Sequence, residues 1–216
     1  MKKTLQFGLF LLFSFMAFGQ ISLGVKGGLN LAHQRINFNG NGATISETGS
    51  TIPTFQLGFF AKAPLGKQVT FVPEILLSGS GANFPGADSN GNRIQVRIRP
   101  FYLRVPLDVE YETAIKGGSR IFGGAGPEFG YGLFGKAYQG SVSGDAFQSD
   151  GFRRFDFGIN FVAGIELQSG VRLGVNYYLG IASIITSSAN SALGGVNTSW
   201  YNRELVFSVG YLFHRK

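Results

Sequence analysis

Beyond its first twenty residues, this chain sets apolar and polar side chains in alternation along most of its length. The clearest run is Phe155 to Gln168. Phe155, Phe157, Ile159, Phe161, Ala163, Ile165 and Leu167 take the odd positions, and Asp156, Gly158, Asn160, Gly164, Glu166 and Gln168 the even ones, with Val162 the exception. A period of two marks a β-strand with two unlike faces. The same alternation recurs in Ile21–Ala32, Thr54–Leu65, Val69–Ser80, Phe101–Glu112, Arg120–Lys136, Val171–Ile181 and Arg203–His214, which makes eight stretches. Each is long enough for a tilted membrane strand of about 9–11 residues, and bacterial single-chain barrels have an even strand number.

The connections alternate in length as well. Gly66–Gln68, Thr113–Ser119 and Ser169–Gly170 are short, whereas Asn37–Pro53, Gly81–Asn92, Ala137–Gly151 and Ser183–Ser199 are long and rich in Gly, Ser, Asn and Thr. Short periplasmic turns and longer outer loops are the arrangement of outer-membrane barrels, and eight strands return both termini to the periplasmic side. The fold class predicted is therefore all-β, an eight-stranded antiparallel transmembrane up-and-down barrel. Pro73, Pro106 and Pro127 fall inside strands and lack the N–H that the ladder needs, so local bulges are expected there. Before Pro100 the parity reverses, with Ile94, Val96 and Ile98 on even positions and Arg93, Arg97 and Arg99 on odd ones. A bulge near Pro100 would account for the reversal, because one extra residue exchanges the two faces.

The same alternation fits a soluble eight-stranded barrel with its apolar face turned inward around a greasy ligand. Size argues against that reading. An eight-stranded interior is just wide enough to be filled by side chains, and the apolar face carries most of the Phe, Leu, Ile and Tyr of all eight strands. The glycine-rich polar face suits a narrow lumen better. It carries Lys26, Lys62, Arg104, Arg154 and Arg172 against Glu74, Asp108, Glu110, Glu128, Asp156, Glu166 and Glu204. Buried charges must pair or lose several kcal/mol to desolvation. These twelve residues are therefore expected to form a lumenal charge network that plugs the barrel. Tyr102, Tyr111, Tyr131, Tyr177, Trp200, Tyr201 and Tyr211 lie near strand ends, where rings with a polar tip favour the two membrane interfaces.

Composition supports export to a membrane. Only 14% of the 216 residues are charged, against 33 Gly and 22 Phe, and there is no Cys for a disulfide, a thiolate metal site or a lipid anchor. Lys2 and Lys3 precede an apolar run from Leu5 to Phe18, and Ala17 and Gly19 are the small residues of a cut before Gln20. Residues 1–19 thus read as a cleaved signal peptide and 20–216 as the barrel domain. Without the leader, 17 basic and 12 acidic residues leave a charge of +5, scattered rather than run together. For an exported chain that balance suits anionic lipid headgroups, not nucleic acid.

Several strings carry a family likeness. "FYLRVPLDVEY" (Phe101–Tyr111) resembles the tyrosine-leucine-x-isoleucine-proline-leucine strand of the PorT-like outer-membrane β-barrel family. "GGAGPEFGYGL" (Gly123–Leu133), "DFGINFVAGIEL" (Asp156–Leu167) and "NRELVFSVGYLF" (Asn202–Phe213) resemble its later strands. The resemblance implies an outer-membrane location, an eight-stranded barrel and little about activity. One branch of that family acts in type IX secretion. The C-terminus departs from the usual pattern: Phe213, the aromatic that insertion machinery would read, is followed by His214, Arg215 and Lys216.

The chemistry-bearing residues are few. His33 and His214 fall at opposite ends of the expected barrel, which excludes a two-histidine metal site. His33 beside Ser46, Ser50 or Ser187 would imitate a lipid-modifying rim enzyme. A solvated rim histidine is the plainer reading. The glycine pairs at Gly27–Gly28 and Gly123–Gly124 lack the following helix that a phosphate cradle needs. The expectation is a non-enzymatic barrel with no cofactor. It would meet outer-membrane lipids and the barrel-insertion machinery, and it would serve a structural or interaction role through its outer loops. The alternative is a component of a type IX secretion or envelope-assembly complex.

Overall fold

The computed structural model describes residues 21–40, 43–87, 91–140, 142–147, 151–186 and 197–213. The leader 1–19, Gln20, Ser187 and His214 lie outside the described residues. The strands are β1 (Ser22–Gly40), β2 (Ala43–Thr48), β3 (Ile52–Pro64), β4 (Val69–Gly79), β5 (Ala82–Ala87), β6 (Arg93–Ala114), β7 (Arg120–Gln139), β8 (Val142–Asp145), β9 (Phe155–Glu166), β10 (Val171–Gly180) and β11 (Asn197–Leu212). Eight of them close a ring in chain order, β1-β3-β4-β6-β7-β9-β10-β11, with every neighbouring pair antiparallel and β11 returning to β1. This is the up-and-down barrel expected. The other three, β2, β5 and β8, pair with β1, β6 and β7 and build sheet onto the long-connection end. β1, β6, β7 and β11 likewise run past the bounds that alternation suggested.

The faces fall as the alternation requires. Leu57, Phe59, Ile75 and Val209 point outward, each more than half exposed, and Phe55, Phe155, Tyr111 and Tyr211 join them in a continuous apolar belt. A patch on this scale is not compatible with water, which disposes of the soluble-barrel alternative. The even-numbered residues of β1, β6, β9, β10 and β11 turn inward. Glycines on that face leave room for rings. A Cβ built on Gly24 would lie 2.5 Å from the Phe60 ring, on Gly164 2.5 Å from Phe122, and on Gly158 2.7 Å from Tyr178.

The prolines behave differently from expectation. The β3–β4 and β4–β6 registers are the same on both sides of Pro73, and the β6–β7 register is the same on both sides of Pro106 and Pro127. The ladder skips two rungs beside Pro106 and closes again in register, so a missing N–H is absorbed without an inserted residue. The one register shift in β6–β7 lies between Phe101 and Tyr102, near the Pro100 position expected. Its extra residue is Leu133 on β7, however: Phe101 opposes Phe134 and Tyr102 opposes Gly132. β6 itself is unbulged, and its even positions face inward from Val96 to Glu112.

The parity reversal in β6 therefore has a different cause. Below Phe101 the outside is the apolar belt and the inside is polar. Above it, Arg93, Arg97 and Arg99 face out while Ile98 and Pro100 are buried inside. The strand keeps one geometry while its surroundings exchange, which is what crossing from hydrocarbon into water does to a barrel wall.

Phe161, outward at the centre of β9, and Ile121, outward at the short-turn end of the neighbouring β7, test this depth assignment. Phe161→Arg is expected to lower stability in lipid vesicles by about 2–4 kcal/mol and Ile121→Arg by about 1 kcal/mol or less. Urea titration with refolding controls measures both. Equal costs would reject the placement of the belt.

Candidate functional site

Inside the ring, four cations and eight carboxylates are buried among the described residues. They form three groups along the axis. At the short-turn end the Lys62 Nζ lies 2.8 Å from Glu112 and 2.5 Å from Glu166, and Arg120, half exposed at the mouth, reaches Glu112 at 3.3 Å. Arg172 belongs to the same group through the shared Glu166, which it approaches at 3.8 Å, and meets Glu110 at 2.7 Å. In the middle the Lys26 Nζ donates to both carboxylate oxygens of Glu74 at 2.9 Å. Toward the long hairpins Arg104 donates to Glu128 at 2.9 Å and Glu204 at 2.6 Å, with Asp156 at 3.4 Å.

Each guanidinium is also held between two rings. The Arg104 Cζ lies 5.0 Å from the Tyr102 centroid and 4.2 Å from that of Tyr178. The Arg172 Cζ lies 4.0 Å from Phe122 and 5.4 Å from Phe60. Three of these rings, Phe60, Phe122 and Tyr178, occupy the space left by the lumenal glycines on neighbouring strands. A planar, weakly hydrated cation stacks on aromatic faces and offers its edge to carboxylates at the same time, which Lys does not match.

Carboxylates outnumber the buried cations among the described residues, so ion pairing alone does not satisfy the interior. Amides take up part of the excess: the Asn160 Nδ2 donates to Asp108 at 2.6 Å and the Asn202 Nδ2 to Asp156 at 2.8 Å. The chain of donors continues outward from Gln34 to Asn202 at 2.8 Å and from the Trp200 Nε1 to Gln34 at 3.2 Å.

Eleven of the twelve residues expected in the network are brought together, and Glu112 belongs with them. Arg154 does not. It precedes β9, its guanidinium donates to the carbonyls of Gly132 and Leu133 at 2.8 and 3.0 Å, and it lies over the Phe147 ring at 5.0 Å. The strand that would have aimed it inward begins one residue later. Two aromatics also depart from the interfacial placement. Tyr102 is fully buried against Arg104, and Trp200 packs against Phe84 and Phe152 at centroid distances of 5.2 and 5.0 Å. Both sit on inward parity beyond the belt. Tyr111, Tyr131, Tyr177 and Tyr211 do point outward.

Alternation alone does not reveal the cap. Ile36, Phe84, Ile98, Tyr102, Phe147, Phe152 and Ile184 form one apolar cluster over the long-hairpin end, with Trp200 packed against it. Phe147 lies on Gly132, where a Cβ would come within 2.3 Å of its ring. Backbone bonds tie the cap together, among them Arg153 N–H to Ile184 O at 2.6 Å and Ile184 N–H to Trp200 O at 2.8 Å. The available signal was the inverted parity of Ile94, Val96 and Ile98, with isolated Phe residues in otherwise polar loops. His33 and Ser46 do not form a rim dyad. His33 opposes Arg203 across the β1–β11 pair, and Ser46 bonds Arg35 and Asn37.

A family model described as outer membrane protein beta-barrel domain matches residues 14–186. The chain belongs to this family. Outer membrane protein beta-barrel domains are proteins of the cell outer membrane, which fixes the lipid that the apolar belt meets. No curated protein matches the chain. Among solved structures, OprG from Pseudomonas aeruginosa is 15% identical, with 92% of this chain and 98% of that one covered at a TM-score of 0.47. Neisserial surface protein A is 12% identical over 90% and 100%, TM-score 0.46. The attachment invasion locus protein Ail of Yersinia pestis is 12% identical over 90% and 100%, TM-score 0.43.

Arg104→Gln removes the cation shared by Glu128, Glu204 and Asp156 and leaves the carboxylates buried. The expected cost is about 3–5 kcal/mol, read as a lower urea midpoint and a lower temperature for loss of the heat-modifiable gel shift. An unchanged midpoint would show that the clamp does not hold the lumen. Gly132→Leu is expected to displace Phe147 and to raise quenching of Trp200 fluorescence by acrylamide while the barrel itself still folds.

Proposed function

We propose that this protein is a non-enzymatic, sealed outer-membrane barrel. Its working surface is the folded cap carried on the long hairpins. The observation that supports this reading is the filled lumen. Two spaces deep among its charged side chains measure about 20 and 10 Å³, room for single waters rather than a solute path, and a larger one of about 160 Å³ lies at the short-turn mouth around Lys62, Glu112 and Glu166. Above them the cap cluster closes the outer end. A barrel with no path through it acts through what it presents outside, and β2, β5 and β8 extend the wall into a structured platform.

A second reading, membership of a secretion or envelope-assembly complex, rests on the resemblance of Phe101–Tyr111 to a strand of the PorT-like family, one branch of which acts in secretion. That segment supplies Tyr102 and Arg104 to the clamp and Phe101 to the edge of the belt. On this reading the sealed barrel is a membrane anchor for a partner.

Planar-bilayer recording of the refolded protein is expected to show no discrete openings, and a steady conductance would reject the sealed lumen. Photo-crosslinkers at Ile45 on β2 and Val142 on β8, both largely exposed, are expected to capture a defined envelope component in cells. The same crosslinker at Leu57 in the belt is expected to capture lipid. Lipid-only products at all three sites would reject the interaction role.

A further inference from the structure

The outer wall carries a second feature, on the side of β6 and β7 that faces away from the lumen. Arg99 on β6 and Lys136 on β7 are directly opposed partners in the ladder, both exposed, with Arg97 two residues along the same face. Like charges set directly opposite one another destabilise a strand pair. Neither side chain has a hydrogen bond or ion pair among the described residues. One acid stands nearby: Asp145 on β8 opposes Lys136 from the other side, and its Oδ1 accepts the Phe147 N–H at 2.9 Å.

Immediately below these cations the wall turns apolar. Phe101 and Phe134 are the next opposed pair, stacked at 5.2 Å with planes 24° apart, and Phe101 also meets Phe55 at 5.5 Å. Leu133, the bulged residue, is exposed beside them. A groove of about 700 Å³ joins the two halves, lined by Arg99, Lys136 and the Asp145 carboxylate above and Phe101, Leu133 and Phe134 below. The bulge makes this possible. It switches the outward parity of β7, so that Phe134 and Lys136 face out above it while Tyr131 and Leu133 face out below.

We propose that this groove binds one anionic lipid of the outer leaflet, with its phosphate between Arg99 and Lys136 and its chains against Phe101, Leu133 and Phe134. Three points support a lipid rather than a soluble anion. The polarity boundary of β6 falls inside the groove, at the level where headgroup meets chain. The apolar half is continuous with the belt, so a free phosphate would use only half of the site. Among the described residues neither Arg99 nor Lys136 forms an ion pair, Asp145 being the one acid in the lining against two cations, and a phosphate ester supplies the missing charge. The site lies on the lipid-facing wall with β8 along its upper edge, whereas the apolar cap cluster of Ile36, Phe84 and Ile184 is buried.

The test uses the full-length protein in neutral detergent and native mass spectrometry, with dioleoyl phosphatidic acid as probe, dioleoyl phosphatidylcholine as the uncharged comparison and glycerol 3-phosphate as the soluble arm. A single phosphatidic acid adduct is expected. Arg99→Gln with Lys136→Gln is expected to weaken it about 30-fold, while Arg93→Gln, which removes the same kind of charge away from the groove, leaves it unchanged. Phe134→Ser is expected to weaken lipid binding too. Folding of each variant is read from the heat-modifiable gel shift. If the double variant does not fold, Lys136→Gln alone carries the test, since it relieves the opposed pair. The proposal is overturned if the double variant, or Lys136→Gln in its place, retains wild-type affinity. It also falls if phosphatidylcholine binds as tightly, if Arg93→Gln weakens binding equally, or if equimolar glycerol 3-phosphate displaces the lipid.

Discussion

The barrel depends on a guanidinium held flat between two aromatic rings with carboxylates at its edge. The arrangement occurs twice, around Arg104 and around Arg172, on opposite sides of the Lys26–Glu74 pair. An eight-stranded ring has an interior that side chains can just fill, too small for the Phe, Leu and Ile of all eight strands and too large to leave empty. Glycine on one strand and a ring on the next fill it, and the ring gives the cation a surface that needs no water. Desolvation, which makes most buried ion pairs marginal, is offset here by stacking, by several carboxylates per cation and by Asn donors to Asp108 and Asp156.

The wall around that interior changes meaning along its length. In the belt, the outside is greasy and the inside charged. In the hairpins, the outside is charged and the inside greasy. β6 passes through both regimes with one unbroken alternation. The protein therefore has two cores of opposite character stacked on one axis, a polar one within the membrane and an apolar one beyond it. Tyr102 belongs to both: it stacks on Arg104 below and packs edge-on against Phe147 above, at 5.7 Å and 90°. At the same level on the outer wall, cations give way to the stacked pair Phe101 and Phe134. The boundary is thus written on both faces of the sheet.

Much of this is legible in the sequence. A strand's side chains alternate because of backbone geometry alone, so parity assigned Lys26, Lys62, Glu74, Arg104 and their neighbours to one face and Leu57, Phe59 and Phe161 to the other. Parity misled where a residue left the strand, as Arg154 does, and where the surroundings inverted, as they do above Phe101. There the same period of two was compatible with a bulge in β6 or with a change of medium, and local sequence does not distinguish the two. The prolines misled for a related reason: the ladder could give up two rungs and keep its register, a choice made by both strands together.

The sequence by itself determined that this is a barrel wall, which side of it meets lipid, and which charges share the interior, because these follow from periodicity and from composition over a few residues. Only the tertiary structure decided who pairs with whom. Lys62 and Glu166 are 104 residues apart, Arg104 and Glu204 are 100 apart, and Gln34 meets Asn202 across 168. Those meetings are set by closure of β11 onto β1 and by the stagger of each strand against the next, quantities that belong to the whole ring and to no segment of it.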